Sequence, residues 1–185
     1  MRILVVAPAR TGGRTFSRWL SDELNYRWIH EPFNPNHAQI FNMEHVMTMD
    51  NVVVKVVPRE WENVLFDEEL FERFDVIIGL TRVDVMDSAI SFAKAKQTNN
   101  FIKPYNIDNK WIEDNSESIE MDCMVLRLMS DYTRNIKDSF QITYEGLYKT
   151  NQDLYRVMDK FKIDEARYLD MFNNDKRYRN NLNLI

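Results

Sequence analysis

The chain has 185 residues, with 24 Lys and Arg against 29 Asp and Glu and a net charge of -5. That length suits one domain over residues 1–185 with a sizeable core. The acidic balance argues against general nucleic-acid affinity, which needs a basic face to displace counterions, so any anion must be held by a local cluster of positive groups. The one cysteine, Cys123, cannot form an intramolecular disulfide, so a reducing, cytoplasmic compartment is the default expectation. Cys123 lies among Met121, Met124, Val125 and Leu128 and reads as core packing. His30, His37 and His45 are scattered with no cysteine beside them, and no metal site is expected.

Residues 2–7 form a short apolar run. It is too brief for a signal peptide and leads straight into a Gly-containing turn, so it reads as a buried strand. No apolar run approaches the length of a membrane span. Residues 15–25 follow as a helix burying Phe16, Trp19, Leu20 and Leu24. A second short strand is expected over 26–29, a helical stretch over 37–47, and a strand covered on both faces over 51–57. An acidic surface helix is predicted over 66–74, then a buried strand over 75–81.

The helical period returns over 84–98, with Met86, Ala89, Ile90 and Ala93 on one side. Residues 98–114 look polar and irregular, as in a lid or acceptor loop. A long helix is expected over 118–136 with Met121, Val125, Leu128, Tyr132 and Ile136 near one stripe. A last strand over 140–144 and a last helix over 154–161 complete the pattern. Strands alternating with helices imply a three-layer α/β/α domain around a mostly parallel sheet of about five strands.

Pro8-Ala9-Arg10-Thr11-Gly12-Gly13-Arg14-Thr15 stands between the first strand and the first helix. Glycine lets backbone approach an anion closely, and a helix N-terminus offers unpaired N–H groups at the positive end of its dipole. Arg10 and Arg14 add charge, and Thr11 and Thr15 add hydroxyls. The stretch overlays a P-loop pattern with Pro for the first Gly and Arg for the Lys. A plain turn with two surface arginines is the competing reading. A later strand ends in Leu80-Thr81-Arg82, where a magnesium-dependent phosphotransferase would place an acid, which disfavours ATP hydrolysis.

The segment Leu80-Thr81-Arg82-Val83-Asp84 through Ala89-Ile90-Ser91 to Thr98 resembles the second donor-binding motif of the PAPS-dependent sulfotransferases. It is most similar to the bacterial trehalose 2-sulfotransferase type. Glu31-Pro32-Phe33 and Thr143-Tyr144-Glu145-Gly146-Leu147 resemble further pieces of that family, in family order, across residues 3–165. Ala9 departs from the family's usual Pro, and Gly13-Arg14 stands where Ser/Thr-Thr is common.

The resemblance implies that PAPS is the donor and PAP the product. It implies that Arg10, Thr11, Gly12, Gly13, Arg14 and Thr15 hold the 5'-phosphosulfate, and that Arg82 and Ser91 hold the 3'-phosphate. Which of Arg10 and Arg14 meets the bridging oxygen stays open. Glu31 is the first candidate for general base and His30 the second, with no metal required. The acceptor is expected to be a hydroxyl of a carbohydrate or small alcohol, its identity open, as is oligomeric state. A small P-loop kinase using ATP and an inactive nucleotide-binding module remain the alternatives. Lys55, inside an apolar strand, is open between pointing into the cleft and lying along an edge.

Overall fold

The computed structural model describes residues 1–32, 43–58, 71–99 and 107–164. The apolar runs become strands: β1 (Arg2–Val6), β2 (Arg27–His30), β3 (Val52–Val56), β4 (Val76–Thr81) and β5 (Phe140–Thr143). All five positions of β3 are buried, as expected for a strand covered on both faces. The order is β2-β3-β1-β4-β5, and every pairing is parallel.

Seven helices are described: α1 (Gly13–Leu24), α2 (Met43–Met47), α3 (Val85–Thr98), α4 (Asn109–Asp114), α5 (Ser116–Arg134), α6 (Tyr144–Tyr148) and α7 (Gln152–Phe161). Because strand side chains alternate, Ile3, Val5, Val53 and Ile78 share one face. There they meet Phe16, Trp19 and Leu20 of α1 and Leu154, Val157 and Met158 of α7. Leu4, Val6, Val52, Val54 and Val56 turn the other way, against Val46 of α2, Phe74 and Ile136. A third cluster joins Ala89 and Ala93 of α3 to Ile119, Cys123 and Leu126 of α5. The result is a three-layer α/β/α domain.

The topology positions the site. From β1 the chain goes first to β2 and β3 on one side, then crosses to β4 on the other. Such a switch point opens a crevice at the carboxyl end of the central strand, where α/β proteins take their ligands.

Three expectations change. The stripe of Met121, Val125 and Leu128 faces out, and α5 turns Ile119, Asp122, Cys123, Leu126, Ser130 and Thr133 inward. The small side chains of α3 admit this face, and two of its polar groups are bonded: Lys96 Nζ lies 2.5 Å from Asp122 Oδ1, and Thr133 Oγ1 donates to the Met129 carbonyl of its own helix at 2.8 Å. Residues 109–114 are helical, not irregular, with Asp108 accepting the Trp111 N–H at 2.7 Å as N-cap. Finally, β5 stops before Tyr144, because Thr143 caps α6 by accepting the Gly146 N–H at 3.0 Å. The Asp153 carboxylate holds Thr143 in place, accepting from its N–H and its hydroxyl at 2.8 Å each. Of the helix expected over 37–47, residues 43–47 are present as α2. Phe33, residues 37–42, residues 66–70 of the expected acidic helix and residues 100–106 of the expected irregular segment lie outside the described residues.

Candidate functional site

Between β1 and α1 the backbone folds back on itself. Thr11 Oγ1 donates to the Pro8 carbonyl at 2.8 Å, closing the turn, and Thr11 is itself buried. Arg10 takes φ 63° and Gly12 φ 78°, both left-handed. At Gly12 a side chain would also be crowded, since an added Cβ would lie 2.8 Å from the Tyr148 ring and 3.1 Å from the Tyr144 ring. Gly13 opens the helix, where an added Cβ would lie 2.5 Å from Ala7 Cβ. The turn thus presents bare backbone at a twelve-residue helix's N-terminus.

Two other elements clamp this loop. From α3, Ser88 Oγ donates to the Arg10 carbonyl at 3.3 Å, and Ser91 Oγ accepts from Arg10 Nε at 2.8 Å. From α6, the Tyr148 hydroxyl donates to the Gly12 carbonyl at 3.2 Å. Ser91 and the loop, read from separate stretches of sequence, are therefore in direct contact. Arg14 is exposed on the first turn of α1. Thr15 is half-buried and lines a small apolar cleft with Trp19, Leu147 and Tyr148.

Arg82, directly after β4, bonds a different partner from Ser91. Its Nη2 donates to Asp87 Oδ2 at 2.8 Å, and its guanidinium lies 4.4 Å from the centre of the Tyr144 ring. Arg82 Nε is buried with no hydrogen-bond partner among the described residues, at 3.9 Å from Glu145 Oε1. Glu145 in turn accepts the backbone N–H groups of Val83 and Asp84, at 3.0 and 3.3 Å, so it fixes the strand end. Burial raises the Tyr144 phenol above its ordinary 10.0 despite the opposing pull of Arg82, keeping it protonated.

On the other side of the loop, β3 and β2 supply a charged pair. Lys55 is buried on the α1 face of the sheet, with its Cε 3.3 Å from where a Gly13 Cβ would stand. Its Nζ lies 2.5 Å from Glu31 Oε1, and the Glu31 N–H donates to the Lys55 carbonyl at 2.7 Å. Glu31 is thereby tied twice to one residue, in a left-handed conformation at φ 47°. His30 Nε2 stands 3.7 Å from the same carboxylate oxygen, and its ring stacks on Trp28 at 5.2 Å.

Most of the positive-φ residues are Asn, Asp or Gly; among the described residues the others are Arg10, Glu31 and the helix-ending Lys162. Backbone strain of this kind persists where surrounding contacts impose it, and two of these three positions flank the loop.

Sequence reasoning left Lys55 undecided and passed over Ser88, Asp87 and Tyr148. A lysine in an otherwise apolar parallel strand was the available signal for the first. Ser88 precedes Ser91 by three residues, which places both toward one side of α3. Nothing local marks Tyr148.

The domain is a three-layer α/β/α fold with an all-parallel sheet and a glycine-containing turn after its central strand. No protein-family model and no curated protein matches the sequence. Among solved structures it is similar to the crystal structure of mouse sulfotransferase SULT7A1 complexed with PAP. The TM-score is 0.54 at 15% identity, over 98% of this chain and 62% of that one. The chain therefore has a sulfotransferase-like fold and spans 62% of the length of that structure. No helix among the described residues is long and apolar enough to cross a membrane.

Proposed function

We propose that this chain is a PAPS-dependent sulfotransferase of the bacterial trehalose 2-sulfotransferase type, moving a sulfuryl group to a hydroxyl of a carbohydrate or small alcohol. The observation that carries the reading is the Arg10–Ser91 hydrogen bond, which joins the loop to the helix of the second motif across 81 residues of sequence. The residues suit a donor with two phosphate ends. One end has the bare turn, Arg10, Thr11, Gly12, Gly13, the exposed Arg14 and Thr15; the other has Arg82, whose buried Nε lacks a hydrogen-bond acceptor among the described residues, and Ser91 once it exchanges Arg10 for the donor. Guanidinium groups suit this task because they stay charged and can bond two oxygens at once.

In the reaction, the acceptor oxygen forms a bond to sulfur as the bond from sulfur to the phosphate oxygen breaks. The departing phosphate carries the negative charge, and Arg10 or Arg14 stabilises it. Glu31 takes the acceptor proton, with His30 beside it as the second candidate; Lys55 orients the carboxylate. The chain's own groups supply positioning and charge, and no metal enters the scheme. The single buried Cys123 is compatible with a cytoplasmic setting.

Calorimetric titration with PAP, ADP and ATP tests the reading. PAP is expected to bind tightest. Arg82→Ala should weaken PAP roughly 10- to 100-fold, the worth of one hydrogen bond to a charged group, while leaving ADP nearly unchanged. Tighter binding of ATP with magnesium than of PAP would favour a kinase and overturn the proposal.

A further inference from the structure

Among the described residues, the outer face of α5 carries an unpartnered apolar stripe. Met121, Met124, Val125 and Leu128 are 65%, 64%, 43% and 68% exposed. Their spacing places them on one side of the helix. Of the eight exposed large apolar residues among the described ones, four are these. The other four are scattered over the chain, so the stripe is a patch and not random surface. Beside it is a hollow of about 360 Å³ lined by Lys96, Glu117, Ser118, Met121, Asp122 and Val125.

We propose that this face is a self-association seam, on which α5 of a second copy of the chain docks antiparallel. Charge selects both the partner and the direction. Exposed Glu117 and Glu120 occupy the first half of the helix, and exposed Arg127 and Arg134 the second. Asp131 is held by Arg134 of its own helix at 3.1 Å. In a two-fold antiparallel pair centred between Met124 and Val125, Met121 of one copy lies opposite Leu128 of the other, beside the hollow. At a rise of about 1.5 Å per residue, Glu120 then falls within roughly 3 Å, measured along the axis, of Arg127 of the second copy. Each contact occurs twice by symmetry.

A parallel pair would instead set Glu120 against Glu120 and Arg127 against Arg127. Antiparallel packing also opposes the two helix dipoles favourably. A membrane surface fits poorly, because helices that lie on anionic lipid carry a Lys- and Arg-rich polar face, and this one is acidic over half its length. A seam one helix wide is at the small end of protein interfaces, so the dimer is reversible and concentration-dependent.

Sedimentation of the full chain over a concentration series tests this. The expected result is a monomer–dimer equilibrium that Met124→Glu/Leu128→Glu abolishes, with circular dichroism and melting unchanged because both residues are exposed. Glu120→Arg alone and Arg127→Glu alone should each weaken the dimer about tenfold, since each sets two like-charged pairs in contact, and the combined exchange should restore it. A chain that stays monomeric throughout, including one that pellets with anionic vesicles, overturns the proposal. So does a dimer indifferent to Met124→Glu/Leu128→Glu, or a combined exchange that fails to restore association.

Discussion

Lys55→Met is expected to destabilise the fold by about 3 kcal/mol, the lower end of the range for removing one partner of a buried ion pair. The Lys55 side chain is 5% exposed and that of Glu31 13%, so the carboxylate left behind has little water to turn to. Its slight exposure and the nearby His30 Nε2 at 3.7 Å are what keep the loss from being larger. For a chain of this size about 3 kcal/mol corresponds to a fall in melting temperature of roughly 6–12 °C, measurable by calorimetry. The left-handed Glu31 backbone adds to the effect, because the side-chain tie to Lys55 helps to impose it.

Lys55→Met/Glu31→Gln separates stability from chemistry. Replacing both charges by uncharged groups of similar size removes the carboxylate that has lost its lysine, so melting should return close to the parent value. PAP binding should persist, whereas sulfuryl transfer should not, since glutamine accepts no proton from an incoming hydroxyl. Transfer retained by the double variant would remove Glu31 from the role of general base while leaving the stability argument intact.

The parallel sheet was legible because strands buried on both faces need continuous apolar runs, and residues 2–7, 51–57 and 75–81 supply them. Strand order was not legible, since nothing in those runs says which neighbour each will take. The long helix shows a different limit. Its apolar stripe at Met121, Val125 and Leu128 has the period of a core face, but hydrophobic periodicity marks a surface that something should cover, not what covers it. The actual inward face contains Asp122, Ser130 and Thr133; Asp122 Oδ1 finds its partner in Lys96 of another helix, and Thr133 in the Met129 carbonyl of its own.

In the site, the loop could be read because the conformational freedom of glycine and the flanking arginines are local properties. The pairing of side chains could not. Arg82 and Ser91 sit on one motif, yet Arg82 turns to Asp87 within its own helix cap, and Ser91 to Arg10 on another element. Such choices depend on where three elements meet, and a spacing within one of them does not encode that.

Gly13→Ala is expected to cost about 1–3 kcal/mol, the usual range for forcing a methyl into a filled interior. It should also take away most of the PAP affinity, because relief of the clash must come from the loop. The new Cβ would stand 2.5 Å from Ala7 Cβ and 3.3 Å from Lys55 Cε. Ala7 cannot retreat easily: it is fully buried, and its N–H donates to the Val56 carbonyl at 3.1 Å. Lys55 is held by Glu31, so the turn itself has to move away from the sheet. Ala7→Gly/Gly13→Ala removes the closer obstacle and should recover most of both losses, since Gly13 already has helical geometry. Gly12 differs in kind. There the residue sits at φ 78°, so Tyr148→Ala/Gly12→Ala removes the nearer ring, leaves the Tyr144 ring at 3.1 Å, and retains the left-handed penalty of roughly 1–2 kcal/mol. Rescue at position 13, followed by melting and by PAP titration, would mark that glycine as needed for close packing against Ala7, whereas position 12 should resist rescue because its left-handed backbone and the Tyr144 ring both remain.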